Sequence, residues 1–345
     1  MDFSRIKESF RDLFPSRIIS IDSHTAGEPT RLIVSGFDPI PGATMKDKRR
    51  HLMDNLDEIR LRLTRETRGH RGMFAAIVTD PVSEGADFGL VFMDPRRYPF
   101  LCGHGTMGAV ATLIETGVLK AEEPETVVVV DTPSGPMEAV ARVKGGLVES
   151  VGISMVPSFV YGENETLRIP GLGEVVVDTV CVGGFFVMVS SDQINLEPDK
   201  ANAAELIRLG MLFIEAANEQ LEVRHPTRPE VRTVDVTEFY DPSEHAKRRG
   251  RNVVIYGEAH MDRSPCGTGT AAKMTLLHRH GLLGINETFT NCGPLGSVFE
   301  GRLVKETKIG DIDGVIAEVR GSAYITGVHE FVVDPRDPFP NGYLP

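Results

Sequence analysis

The sequence predicts an α/β (α+β) protein of two similar halves, each a set of short strands with one long surface helix and one helix opened by a cysteine–glycine turn. Three observations carry that prediction. At 345 residues the chain exceeds the size at which a single hydrophobic core usually divides, so two domains are expected. β-rich runs alternate with amphipathic segments along both halves. Residues 102–119, CGHGTMGAVATLIETGVL, align without gaps on 266–283, CGTGTAAKMTLLHRHGLL, with seven identities, the mark of an internal duplication.

The elements follow in order. RIISIDSHTAGEPTRLIVSGF at 17–37 reads as an antiparallel hairpin whose irregular tip holds His24 and Glu28. Over 46–67, Leu52, Leu56, Ile59, Leu61 and Leu63 recur at helical spacing among charges, which predicts one amphipathic surface helix. FAAIVTDP and FGLVFMDP are strands ended by Asp-Pro, and a helix over about 106–116 follows the first glycine turn, with Gly117 as its C-terminal stop. TVVVVDTPSG and VESVGISMVP resume the strands. The polar VPSFVYGENETLRIPGLG marks the crossing into the second domain, near residue 156. There EVVVDTVCVGGFFVMVS predicts strands and KANAAELIRLGMLFIEAANEQLE a strong amphipathic helix. RTVDVTEFY and RNVVIYGEAH are strands, a second glycine turn introduces a helix over about 268–280, and SVFEGRLV, GVIAEVRGSAYITG and HEFVVDP close the chain.

A composition of 41% hydrophobic and 25% charged residues is that of an ordinary globular protein. The net charge of −12 disfavours nucleic acid and anionic membranes as partners and favours small molecules. The N-terminal MDFSRIKESFRDLFPSR carries alternating charges without a signal-type apolar core, and nowhere do 18 apolar residues run together, so a cytoplasmic location is expected. Four cysteines, Cys102, Cys181, Cys266 and Cys292, are too few for a disulfide framework, and Cys181 and Cys292 read as small buried hydrophobes.

Cys102 and Cys266, 164 positions apart, each stand directly before a Gly-x-Gly turn. GHGTMG, with Asp131 downstream, matches a dinucleotide-binding fingerprint, the pattern of an NAD-dependent oxidoreductase. Against it, PRRYPFLC separates the preceding strand from Gly103, where a nucleotide fold turns at once, and the second copy lacks the acidic residue. A second reading starts from the thiols. A cysteine at a helix N-terminus lies in the positive field of the helix, which lowers its pKa and favours thiolate. The glycines let backbone N–H groups approach a carboxylate. If the halves act together, one thiolate takes the α-proton from one face of a chiral carbon and the other thiol returns a proton to the opposite face. A single Cys-Gly turn is more often structural than catalytic, but recurrence in register reverses that preference. His104 and Thr268 serve either as helix caps or as donors to the ligand carboxylate. A metal site at Cys102 and His104 lacks a second pair of ligands, and Lys273 as a Schiff-base lysine has no phosphate loop beside it.

DSHTAGEPTR, RGHRGMF, CGHGTMG, HPT, NVVIYG, DRSPCGTGT and GSAYITG occur in this order from about residue 17 to the C-terminus, and together they resemble the proline racemase family. The resemblance implies a cofactor-independent homodimeric enzyme of diaminopimelate-epimerase-like fold. That fold has two pseudo-symmetric domains, each a curved, mostly antiparallel sheet around a central helix, with the active site in the cleft between them. The first domain would take residues 1–155 plus about 324–345, and the second 156–323. Cys102 and Cys266 would be the two acid/base catalysts. Gly103, His104, Gly267 and Thr268 would bind the substrate carboxylate, Asp262 the ring nitrogen as ammonium, and Phe74, Val236 and Tyr256 would complete the substrate-binding set. Relatives that dehydrate trans-3-hydroxyproline typically replace the second cysteine by threonine, so Cys266 favours inversion. Phe74 and NVVIYG look like racemases of free proline. Tyr256 stands where such a racemase would carry Phe, and its phenol, with His260 nearby, suits the hydroxyl of 4-hydroxyproline. A protein that merely binds a small amino acid would exchange no α-proton.

Overall fold

In the computed structural model, which describes residues 13–14, 17–257 and 259–344, the chain divides into two compact units. One takes the residues up to Thr25, Pro29–Glu149 and those from Ala323 on; the other takes Ala26–Glu28 and Ser150–Ser322. Most of the N-terminal stretch read above for a signal, residues 1–12 and 15–16, lies outside the described residues. Among the described residues no helix is long and apolar enough to cross a membrane.

The first unit holds β1 (Arg17–Thr25), β2 (Glu28–Ser35), β3 (Ala75–Thr79), β4 (Phe88–Met93), β5 (Glu125–Thr132), β6 (Gly135–Lys144) and the last strand of the chain, β17 (Ala323–Val332). β17 pairs antiparallel with β1 and β1 pairs with β2. The two-residue tip between β1 and β2, Ala26 at φ 52 and Gly27 at φ 99, turns the chain in the left-handed region that tight hairpins require. His24 and Glu28 therefore sit on strands, and the tip is shorter than the sequence suggests. The remaining neighbours alternate: β2 parallel to β3, β3 antiparallel to β4, β4 parallel to β5, β5 antiparallel to β6.

The second unit holds β8 (Ser158–Ile169), β9 (Gly173–Val182), β10 (Gly184–Ser190), β11 (Val234–Asp241), β12 (Arg249–Tyr256), β13 (His260–Met261), β14 (Thr288–Cys292), β15 (Val298–Ile309) and β16 (Ile312–Gly321), with most of β7 (Leu147–Ser154). From β9 to β10, β11, β12, β14 and β15 the pairing runs antiparallel, parallel, antiparallel, parallel, antiparallel, the same alternation as β1 to β6. β16 then pairs with β15 and meets β8 at Val315 opposite Ser158, and β8 pairs with β9, so the sheet closes on itself. The duplication read from eighteen aligned residues thus extends to the topology.

Each parallel neighbour needs a crossover, and the helices supply them. Between β2 and β3 run α1 (Met45–Asn55) and α2 (Asp57–Thr64), where the sequence predicts one helix; the break falls at Leu56, which leaves the helical region at φ −137. α3 (Gly103–Glu115) links β4 to β5, α4 (Ala203–Gln220) links β10 to β11, and α5 (Gly267–Arg279) links β12 and β13 to β14. α4 is a surface crossover: Leu206, Leu209, Phe213, Ala216 and Ala217 form one buried stripe against β11, β12 and β8. Fully burying Phe213 contributes about 1.5–3 kcal/mol. α3 and α5 are central instead. α3 buries every residue from His104 to Ile114 among β1, β17, β6 and β3, and α5 buries Gly269 to Leu277 among β8, β9, β15 and β16.

Two strands escape a sequence reading. The sequence does not delimit β6, and the polar VPSFVYGENETLRIPGLG contains the twelve-residue β8, whose exposed Asn164, Thr166 and Arg168 disguise it. The four cysteines form no disulfide; Cys181 is buried as expected, and burial pushes its thiol up to about 12. Cys292 is only half-buried.

Candidate active site

Cys102 is the N-cap residue of α3. Its backbone is extended at φ −151, and its Sγ accepts the Gly105 N–H at 3.4 Å while its carbonyl accepts the Thr106 N–H at 3.1 Å and hydroxyl at 2.8 Å. The thiol, and not His104, is the cap. Helix starts at Gly103 and Gly267, a few residues earlier than predicted for the first, put both Gly-x-Gly pairs in the first turn, where amide N–H groups have no intrahelical partner. His104 lies with Nδ1 3.2 Å from the Cys102 sulfur, its carbonyl accepts the Thr25 hydroxyl at 2.9 Å, and its ring stands edge-on to Phe74 at 4.7 Å. Phe74 also lies under Gly105, where a Cβ would approach the ring to 3.0 Å. Cys102, Gly103, His104 and Phe74 are thus gathered in the first unit.

Cys266 repeats the arrangement in the second. It is the N-cap of α5, its Sγ accepts the Gly269 N–H at 3.3 Å, and Thr268 Oγ1 lies 3.3 Å from the sulfur, the place His104 takes in the first unit. One difference is conformational: Cys266 adopts φ 60, a left-handed value unfavourable for a residue with a Cβ. Four hydrogen bonds at two flanking backbone groups hold it there. Its N–H donates to Ser264 Oγ at 3.0 Å, and the Pro265 carbonyl accepts from Asn252 Nδ2 at 3.1 Å, Asn291 Nδ2 at 3.3 Å and Thr270 Oγ1 at 3.3 Å.

Asp262 is buried, and its Oδ1 accepts Ser264 N at 2.8 Å and Ser264 Oγ at 2.7 Å, so one hydroxyl joins it to the Cys266 amide. Burial, reinforced by the nearby charge of Glu28, pushes Asp262 up to about 7 despite the Ser264 bonds. The Cys266 thiol is pushed well above its usual value, by burial first and then by Asp262, and its bonds to Thr268 and Gly269 only partly oppose this. The sequence argument that a helix N-terminus lowers such a thiol is therefore overturned for Cys266, because desolvation of the thiolate outweighs two hydrogen bonds.

Val236 and Tyr256 face each other in the β11–β12 ladder, Tyr256 pairs on its other side with His260, and the Tyr256 and His260 rings stand 4.7 Å apart. Val254, two residues before Tyr256 and on the same face of β12, lies against Gly269 of α5. The row therefore lies in the same unit as Cys266. Glu28 was seen in the sequence but given no part. It is fully buried and accepts Arg263 N and Nε at 2.9 Å each, Arg263 Nη2 at 3.0 Å and His260 Nε2 at 3.1 Å, which fixes the segment leading through Asp262. The signal was an acidic residue in a β-rich hairpin beside glycine. Also missed were Glu238, Asn252, Asn291 and the structural place of Lys273. Among the described residues no three His, Cys, Asp or Glu side chains are grouped so as to hold a metal ion.

Comparison with known proteins gives this arrangement its context. The family model described as proline racemase matches residues 20–344. A proline racemase of Clostridioides difficile is 42% identical over 331 residues, covering 96% of this chain and 99% of that one. A 4-hydroxyproline 2-epimerase of Streptosporangium roseum is 38% identical over 325 residues, covering 94% and 97%. The crystal structure of a hydroxyproline epimerase from Agrobacterium vitis, solved with trans-4-hydroxy-L-proline bound, superposes with a TM-score of 0.86 at 29% identity over 95% of this chain and 96% of that one. With matches that span nearly the whole chain, and with the epimerase fold they share, the chain is an isomerase that belongs to the proline racemase family.

Proposed function

We propose that the enzyme inverts the α-carbon of free proline without a cofactor, Cys102 and Cys266 acting as the two acid/base groups. The observation that carries this reading is the recurrence of a thiol as N-cap at the same station of two duplicated central helices, each with a hydrogen-bonding side chain two residues on. One thiolate removes the α-proton, the electron pair spreads into the substrate carboxylate, and the other thiol delivers its proton to the opposite face. Backbone N–H groups of the first turns, with Gly103, His104, Gly267 and Thr268, hold the carboxylate as charge builds on it. Asp262 holds the ring ammonium, which makes the α-proton more acidic. The net charge of −12 and the small-molecule relatives fit a cytoplasmic enzyme of free amino acids, and the resemblance implies a homodimer.

A second reading, 4-hydroxyproline 2-epimerase, is favoured by Tyr256, which pairs with Val236 on one side and His260 on the other and carries a phenol beside the His260 ring. Circular dichroism on L-proline, trans-4-hydroxy-L-proline and trans-3-hydroxy-L-proline in deuterium oxide separates the cases. Inversion of L-proline with deuterium uptake at the α-carbon is expected. Dehydration of the 3-hydroxy substrate alone, or binding without exchange, overturns the proposal. Tyr256→Phe then reports on the ring. If the phenol serves a substrate hydroxyl, kcat/KM on trans-4-hydroxy-L-proline falls about tenfold relative to L-proline, the worth of one hydrogen bond; an unchanged ratio removes Tyr256 from substrate choice.

A further inference from the structure

Beneath the first turn of α5 the second unit buries a pair of opposite charges. Glu238, on β11, is 0% exposed and Lys273, on α5, is 1% exposed, with Nζ 3.8 Å from Glu238 Oε1. Two contacts tie the pair to the thiol above it. Asn252 Nδ2 donates both to Glu238 Oε1 at 3.0 Å and to the Pro265 carbonyl at 3.1 Å, the carbonyl immediately before Cys266. Glu238 Oε2 lies under Gly269, where a Cβ would come within 2.9 Å of it, and the Gly269 N–H is the one that donates to the Cys266 sulfur. Neither Glu238 Oε2 nor Lys273 Nζ has a hydrogen-bond partner among the described residues; the ammonium rests 2.7 Å from the centroid of the Tyr240 ring.

The duplication breaks at this place. Seven residues after Cys102 the register position of Lys273 is taken by Ala109, and under Gly105 the Phe74 ring stands where Glu238 stands under Gly269. The first unit shows that the helix packs without charge there. Removing two charges from water costs more than such a pair usually returns, so stability alone does not explain it.

We propose that the Glu238–Lys273 pair is a positioning device for the Cys266 thiol, fixing the turn that carries it and the charge state in which it rests; this builds on the catalytic role assigned to Cys266 above. Around the thiol stand Asp262, Thr268, the Gly269 amide and Glu238. Around the ammonium stand Glu238, Asp178, Asp241 and Tyr240, with His245 stacked on the Tyr240 ring and His280 beyond it. Burial pushes Glu238 up to about 7 and Lys273 down to about 7, and it holds His245 neutral, near 4, with the Lys273 charge adding to this. While the pair is ionised its negative end is the one under Gly269, which disfavours thiolate at Cys266.

The test uses the full-length enzyme. The pH dependence of alkylation by iodoacetamide is followed separately at Cys266 and Cys102 by peptide mass spectrometry, in wild type, Glu238→Gln, Lys273→Met and the double variant. Removing either charge leaves its partner buried alone and neutral, so each single change should lower the Cys266 midpoint, giving about tenfold faster alkylation at a fixed pH below it. The double change should add nothing further, and Cys102 should not move. An unchanged Cys266 midpoint in Glu238→Gln, or additive shifts, overturns the proposal. Because the double variant is uncharged, it keeps the test alive if Lys273→Met alone fails to fold. The pH profile of inversion is recorded in parallel: a moved Cys266 midpoint with an unmoved rate profile counts against the catalytic role of Cys266 and leaves the pair's action on the thiol standing.

Discussion

Cys102→Ser and Cys266→Ser are each expected to lower the rate of proline inversion by about a thousandfold or more, whichever enantiomer is supplied. General acid/base groups contribute roughly 10²–10⁴ in rate, and a serine hydroxyl neither ionises near neutrality nor gives up its proton readily. Both steps of an inversion need both groups, one as base and one as acid, so neither direction should be spared. Isotope exchange tells more than rate. A variant with one thiol can still remove and return a proton on the face that thiol serves, so surviving α-deuterium uptake should be confined to one enantiomer. The two variants should retain opposite enantiomers. Inversion near the wild-type rate in either variant, or exchange of the same enantiomer by both, would rule out the two-thiol mechanism. The substitution keeps contacts that an oxygen can also make: in each unit the sulfur accepts the N–H three residues on and lies beside the side chain two residues on.

What could be read from the sequence was whatever local chemistry dictates. A cysteine that ends an extended segment and is followed by Gly-x-Gly and an apolar run has one common solution, a helix with that cysteine at its N-cap, and both copies adopt it. The strands with continuous apolar runs, such as β4, and the amphipathic α4 were legible for the same reason. Where the outcome depended on distant partners the sequence was silent. β8 is a strand because β9 and β16 pair with it, not because its exposed residues favour one. Nothing local in VDVTEFYD or GTGTAAKMT marks Glu238 or Lys273 as buried, and only the closure of the sheet around α5 places them inside. The direction of the Cys266 shift failed for a related reason: the helix field is a local property, while desolvation is set by everything packed around the thiol.

Asp262 carries the second large expected effect, on binding and with a definite pH signature. In its proposed role only the ionised form attracts the ring ammonium of the substrate, and burial with the Glu28 charge pushes this carboxyl up to about 7. In wild type, kcat/KM should therefore fall about tenfold per pH unit below about 7, with the loss residing in KM, and level off above it. Asp262→Asn keeps an oxygen for the two Ser264 donors but has no charge, so it should lower kcat/KM at pH 8 by about a hundredfold, the usual order for truncating one partner of a buried charge pair. It should also flatten the acid limb. Folding stability responds with the opposite sense of pH. A carboxyl whose folded value lies above its unfolded 3.8 binds its proton more tightly in the native state, so its contribution is full below about 4 and is lost as pH rises through about 7. Urea midpoints should accordingly show Asp262→Asn gaining on wild type between pH 5 and pH 8 in the absence of substrate. A variant that loses activity but keeps the wild-type acid limb would show that another group titrates there, and a variant destabilised equally at both pH values would make Asp262 a structural residue of the turn before Cys266.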